Sequence, residues 1–388
     1  MFDGGAGHAS MISIGGVRMG DSRTGKFARE LFCRDFSWAS GSFEVGELKR
    51  LKSFQVTSSK GRSSSGSVTS PLFGATLVDL EPEESNNFKL IIGCGEDVER
   101  FCSNNSIFVI KGSIIGDKIE ADVTKWLPKQ VVYSEFKIPD SYSDGSEYVQ
   151  KGDVPSARSG SKFGILSKSL YDATSGSATI LCTGGVCNPS PGSTKYLPED
   201  SNIFLLQYPS MIWKKLPSED LLRRSHHAMH IFGQTAFVVG GYSWSEGKAK
   251  KLFPVNEFTR ILFSDDFEVQ MIDVIEVSVP PSCTASLFLS GFSLAGVGNK
   301  LFVFGGIPFP KYEHDKENFH TFLPPETSRN KLPEATSNLL KINLGDKDLT
   351  VVCGPKDAAS HNSSMQILNP AEPLLVMVCD PKLYIYRP

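Results

Sequence analysis

A chain of 388 residues has room for two or three ordinary domains or one large β domain, and with 40% hydrophobic residues, 26 Phe among them, it can bury a sizeable core. Its 40 Lys and Arg against 43 Asp and Glu leave a net charge of −3, which excludes a globally basic nucleic-acid binder but leaves room for a local basic patch. No apolar run approaches the ~18 residues of a membrane-spanning helix, MFDGGAGHASMISIGG lacks the pattern of a secretory leader, and eight scattered cysteines without a CxxC pair read as reduced thiols of the cytosol or nucleus.

From the N-terminus onward the apolar runs are short, β-branched or aromatic, and closed by glycine. GHASMISIGG (7–16) reads as an inner strand with its hairpin turn, followed by outer strands LFCRDFSW and SFEVGEL, and the Ser/Gly-rich stretch 58–70 reads as a loop. SPLFGATLVDL, NFKLIIGCG and NSIFVIKG are the strands of a second unit, with Gly93-Cys94-Gly95 as a diglycine variant. A third unit comprises VPSARSGSKFGILSKS, SATILCTGG ending in Gly184-Gly185, SNIFLLQY, and an outer strand carrying Trp213. LPSEDLLRRS (216–225) holds one helical turn.

The fourth unit, HHAMHIFGQTAFVVGG, is two strands joined at Gly233-Gln234 and closed by Gly240-Gly241. The fifth, SLFLSGFSLAGVGNKLFVFGG (286–306), turns at Gly298-Asn299 and ends in Gly305-Gly306; a polar, proline-punctuated insertion (308–337) precedes its next strand, SNLLKINL. HNSSMQILNP, PLLVMVC and KLYIYRP supply three strands of a sixth unit without a glycine pair.

The diglycines let the backbone leave the second strand of each unit where a Cβ would clash. Together with the seven-residue step from Leu206 to Trp213 and the Pro155-x-x-Arg158 motif, they resemble kelch repeats. The predicted fold is therefore an all-β, six-bladed kelch-like β-propeller in one domain, 1–388, with blades at about 7–55, 68–139, 155–217, 224–280, 283–354 and 360–388.

Collinear stretches carry a narrower likeness: GHASMISIGGV, SPLFGATLVDL with FKLIIGCGED, GDVPSARSG (152–160), ILCTGG with DSNIFLLQY, and the closing KLYIYRP. These resemble the recombination-activating protein two family, the accessory subunits of the V(D)J recombinase. Vertebrate members continue into an acidic hinge and a C-terminal zinc finger. This sequence ends at Pro388 without a finger-type Cys/His cluster, and in that resembles the subunits encoded by related invertebrate transposons. The resemblance implies a non-catalytic nuclear subunit that stabilises a DDE-type transposase in a 2:2 assembly and helps it engage DNA at terminal inverted repeats. It also implies no cofactor in this chain, with divalent Mg or Mn belonging to the partner, and no membrane association. A generic kelch interaction module, such as a ubiquitin-ligase substrate receptor or a scaffold, is the alternative.

Residues 18–62 contain ten Lys and Arg against five Asp and Glu, an excess of five positive charges inside a net-acidic chain. Arg18, Arg23, Lys26, Lys49 and Arg50 are accordingly the candidate DNA-backbone contacts, a surface suited to phosphates without base readout. His226, His227 and His230 are the one histidine cluster. Read as a strand, the segment puts His226 and His227 on opposite faces with His230 beside His226, so at most two converge and a structural role is preferred over a metal site. No catalytic motif is found, and Gly184, Gly185, Gly240, Gly241, Gly305, Gly306 and Trp213 are read as the structural signature of the repeat.

Overall fold

The computed structural model describes residues 7–14, 17–18, 26–27, 31–39, 42–51, 54–57, 63–66, 72–73, 76–80, 87–97, 102–103, 105–115, 118–128, 148–167, 177–187, 197–198, 202–218, 220–244, 252–254, 257–278, 289–290, 292–308, 339–352, 364–368, 374–379, 382–386 and 388. Among these the protein is all-β. The one helical element among the described residues is a 3-10 turn at Asp220–Leu222, where the sequence places its one turn. No described helix is long and apolar enough to cross a membrane. The chain divides into two compact units: Met1–Ser159 with Asn188–Ser193 and Ser210–Trp213, and Gly160–Cys187 with Thr194–Pro209 and Lys214–Pro388.

The first unit holds two main antiparallel sheets. In the first sheet Leu31–Ala39 lies between Gly7–Ile14 and Ser42–Leu51. In the second, Thr76–Asp79, Asn87–Gly93, Ile107–Ile115 and Lys118–Pro128 pair in chain order. Ile91, Ile107 and Ile110, fully buried, lie at the centre of this sheet. Val149–Gly152 then runs parallel to Leu127-Pro128 on one side and to Ile212-Trp213 on the other.

In the second unit the third sheet comprises Lys162–Leu166, Ala178–Thr183 and Ile203–Tyr208. The fourth orders Ala228–Phe232, Thr235–Val239, Phe258–Phe263 and Val269–Ile275. The fifth orders Ser293–Val297, Lys300–Phe304, Leu339–Asn343 and Asp348–Val352. The sixth has three strands, Ser364–Leu368, Leu374–Cys379 and Lys382–Tyr386. The first strands of these four sheets lie side by side in chain order.

Apolar clusters fill the spaces between successive sheets of this unit. Leu181 and Ile203 meet Ala236 and Ile261; Val239 and Phe258 meet Leu301 and Ile342; Phe302 and Phe304 meet Leu375 and Met377. Strands buried on both faces explain why the sequence shows continuous apolar runs rather than alternation, as in Ile203–Leu206, which is buried at every position. Each such Leu, Ile or Phe contributes about 1.5–3 kcal/mol by leaving water.

Two strand expectations are corrected. Gly7–Ile14 does not pass through a tight hairpin turn into its partner strand. Among the described residues it pairs with Leu31–Ala39, and between the two strands Val17-Arg18 pairs with Lys26-Phe27. In the same way Ala178–Thr183 is followed by Val186-Cys187 paired with Leu197-Pro198, and Thr235–Val239 by Tyr242–Trp244 paired with Leu252–Pro254. Gly7–Ile14 is thus the equivalent of a second strand, and Gly15-Gly16 stands in sequence where Gly184-Gly185 and Gly240-Gly241 stand. The Ser/Gly-rich stretch 58–70 is not all loop, because Ser63–Gly66 pairs with Phe54–Thr57, and Gln55 in turn pairs in parallel with Asp122.

Candidate functional site: the diglycine junctions and the basic segment

The glycine pairs share one backbone conformation. Gly184 and Gly185 have φ of +61° and +109°, Gly240 and Gly241 +62° and +86°, and Gly305 and Gly306 +72° and +90°. Cys94 and Gly95, at +60° and +93°, repeat the pattern with a side chain at the first position. The requirement is steric as well as torsional. A Cβ on Gly184 would stand 2.2 Å from the Arg224 carbonyl oxygen, and one on Gly241 2.5 Å from that of Ser225.

What the turn achieves is a bond to the next sheet's leading segment. Gly185 N–H donates to the Arg224 carbonyl at 2.8 Å, and Gly95 N–H to the Arg158 carbonyl at 2.6 Å. Arg158 and Arg224 are thus equivalent, and both are followed by Ser and then by a residue at positive φ, Gly160 (+67°) and His226 (+55°). The sequence reading used Pro155 and Arg158 but passed over Arg224, which has no proline three residues before it. The repeated Arg-Ser pair was the available signal.

Both arginines are buried. Arg158 is held by the Ser156 carbonyl (3.1 Å) and hydroxyl (3.0 Å). Arg224 donates to the carbonyls of Leu221 (2.9 Å from Nε), Glu257 (3.2 Å) and Gly240 (3.4 Å) and to the Thr259 hydroxyl (2.8 Å). The Glu257 carboxylate lies 3.7 Å away on a half-exposed side chain. Burial lowers the Arg224 pKa to about 10, opposed by Glu257, so the guanidinium stays charged at neutral pH.

The histidines are arranged differently from the expectation. Only His230 lies on a strand; His226 and His227 precede it in the turn. His226 stacks on Tyr242 (4.9 Å between centroids, 15° between planes) and covers Gly160, where a Cβ would stand 2.6 Å from its ring. His227 Nε2 is 3.0 Å from the Thr183 hydroxyl. Burial, then the neighbouring Lys162, lowers the His226 pKa to about 3; burial alone lowers that of His230 to about 4. His227 is also held well below its ordinary value, by burial first and then by Arg224, Lys162 and His226.

All three rings are therefore neutral at physiological pH. Among the described residues no group of three His, Cys, Asp or Glu could hold a metal ion. The Thr183–His227 pair is fully enclosed, which closes it to any substrate.

Trp213 is buried on Ile212–Leu216, where its indole N–H donates to Gln150 Oε1 at 2.7 Å. The Gln150 amide nitrogen in turn donates to the carbonyls of Asn105 (2.9 Å) and Trp126 (3.0 Å). A single buried amide thereby links the second sheet to the strand that carries Trp213.

The basic candidates fall on two sheets of the first unit. Arg18 and Lys26 are direct cross-strand partners. Lys49 and Arg50 lie on Ser42–Leu51, opposite Cys33 and Phe32. Arg23 lies outside the described residues.

A scan against protein-family models finds no match to this chain, and a search of curated proteins finds no significant one.

Proposed function

We propose that this chain is a six-bladed kelch-like propeller that serves as the non-catalytic accessory subunit of a DDE-type DNA transposase. The single observation that carries the fold is the repeated junction. The same φ pair and the same Gly N–H to Arg carbonyl bond recur at Gly95–Arg158 and Gly185–Arg224, and consecutive four-stranded meanders stack first strand beside first strand. The collinear resemblance and the positive excess of residues 18–62 support the function. The partner supplies the metal-binding carboxylates and the chemistry; this chain steadies it and adds phosphate contacts.

A few Lys/Arg–phosphate contacts give weak, salt-sensitive affinity by themselves, and become effective when tethered to a partner already on DNA.

The test is co-expression with a DDE transposase of the same genome, followed by co-purification and a salt titration of DNA affinity. Changing Arg18, Arg23, Lys26, Lys49 and Arg50 to Ala is expected to leave the complex intact and flatten the log–log slope by about one unit per lost contact. Equal slopes would make the basic segment a solvated surface. Failure to co-purify would favour the generic kelch module.

A further inference from the structure

The fourth and fifth sheets leave an open cavity of about 330 Å³ on the side of their hairpin turns. Its walls are apolar. Phe232 and Phe237 meet edge to face at 5.9 Å, and Leu262 and Leu344 close the flanks. Gly298 forms the lip, in the tight turn between Ser293–Val297 and Lys300–Phe304. Nothing lies within 4 Å of where its Cβ would stand, so the entrance is open.

Two polar groups reach this space, Thr235 and Arg260. Arg260 is oriented by Asp273, its Nε donating to Oδ1 at 2.9 Å and its Nη2 to Oδ2 at 2.6 Å. Its Nη1 and the Thr235 hydroxyl make no hydrogen bond among the described residues. The bidentate pair has no net charge, so the cavity offers donors without a field that would draw an anion.

We propose that this cavity binds one aromatic side chain of a peptide together with its flanking amide. The ring sits edge-on to Phe232 and Phe237, and the peptide carbonyl accepts from Arg260 Nη1. The size supports this occupant: the cavity is at the lower end for ligand sites, enough for one aromatic residue and too small for a folded element. Charge supports it too, because a carboxylate would gain from Arg260 only what it loses to Asp273, whereas an uncharged amide meets no such opposition. The Thr235 hydroxyl serves the amide N–H or a second carbonyl. The site uses none of residues 18–62 and does not rest on the DNA-linked reading.

The experiment titrates the full chain with N-acetyl-L-phenylalaninamide, followed by NMR shifts and calorimetry. Saturable binding is expected, at least tenfold tighter than for N-acetyl-L-alaninamide and no weaker than for N-acetyl-L-phenylalanine, which carries a free carboxylate. Leu344→Trp fills the cavity and should abolish binding, and a urea midpoint checks that the variant is folded. Thr235→Val, nearly isosteric, should weaken binding about threefold, which keeps the test decisive if Leu344→Trp fails to fold. Absence of saturable binding, unchanged affinity in both variants, or a preference for the carboxylate probe would overturn the proposal.

Discussion

Replacing Arg224 by Met keeps most of the buried volume and removes every donor of the guanidinium. The carbonyls of Leu221, Glu257 and Gly240 and the Thr259 hydroxyl then lose their partner. A buried acceptor left unpaired costs about 1–3 kcal/mol. Gly240, at 3.4 Å, has the weakest bond to lose, and relief of the buried charge returns part of the cost. The expected net loss is about 3–5 kcal/mol, in the range for breaking a buried polar network. Glu257→Gln removes a carboxylate 3.7 Å from the guanidinium on a half-exposed side chain, and should cost under about 1 kcal/mol. Arg224→Lys cannot reproduce the fork and should fall between the two. Urea unfolding of the full chain, followed by tryptophan fluorescence and far-UV circular dichroism, reads the free energies. An Arg224→Met loss below about 1 kcal/mol, or an equal loss for Glu257→Gln, would show that the carbonyls find other partners and that the network does not organise the junction.

Further outcomes follow from the same geometry. Gly184→Ala places a Cβ 2.2 Å from the Arg224 carbonyl at φ +61°, and should cost about 2–4 kcal/mol through strain and loss of the Gly185 bond, read by urea midpoint. Cys94→Gly, at the matching position, relieves a side chain at φ +60° but empties a buried site; stability should change by under about 1 kcal/mol by the same assay. His226 and His230 have pKa values of about 3 and about 4 in the fold, below the ordinary 6.5, so the unfolded chain binds more protons between the two limits. Stability from these groups is therefore full above about pH 6.5 and falls as pH drops toward 3, and His230→Gln should flatten a stability-versus-pH curve between pH 6.5 and 4. Gln150→Leu should cost about 2–3 kcal/mol, because the Trp213 N–H and two carbonyls lose one shared partner, and should alter tryptophan emission.

The strand sequence of sheets two to five was legible because each second strand ends at a glycine pair, or at Gly93-Cys94-Gly95, that breaks the apolar run, and the sixth because its three apolar runs are separated by short polar, Asn, Asp and Pro-containing stretches. The first sheet was misread for want of context: Gly15-Gly16 is a diglycine in sequence, but with only fourteen residues before it the chain suggested a hairpin instead. The hairpin containing Ser63–Gly66 was hidden by residue types of low strand propensity, which backbone pairing with Phe54–Thr57 overrides. The histidines were misplaced because a strand period was extended through His226, whose positive φ breaks it. Arg224 was overlooked because it lacks the proline that marks Arg158 and because two of its carbonyl partners, Gly240 and Glu257, are distant in sequence; the repeated Arg-Ser pair is its one local signal.

The substitution of Cys94 for a glycine shows which part of the diglycine is indispensable. At the first position both a glycine and a cysteine adopt φ near +60°, so the torsion is kept while the absence of a side chain is not. At the second position glycine stands at 95, 185, 241 and 306, with φ from +86° to +109°. There the bond to the next Arg carbonyl is made by the glycine's own N–H, at Gly95 and Gly185 alike. A φ near +90° lies outside the small left-handed region open to other residues, which centres near +57°. The first glycine is thus set by local crowding, and can yield where the crowding differs. The second is set by the direction the N–H must take to reach the following sheet. That distinction explains how the first glycine can give way to Cys94 while the bond from the second glycine to an Arg carbonyl is kept at Gly95 as at Gly185.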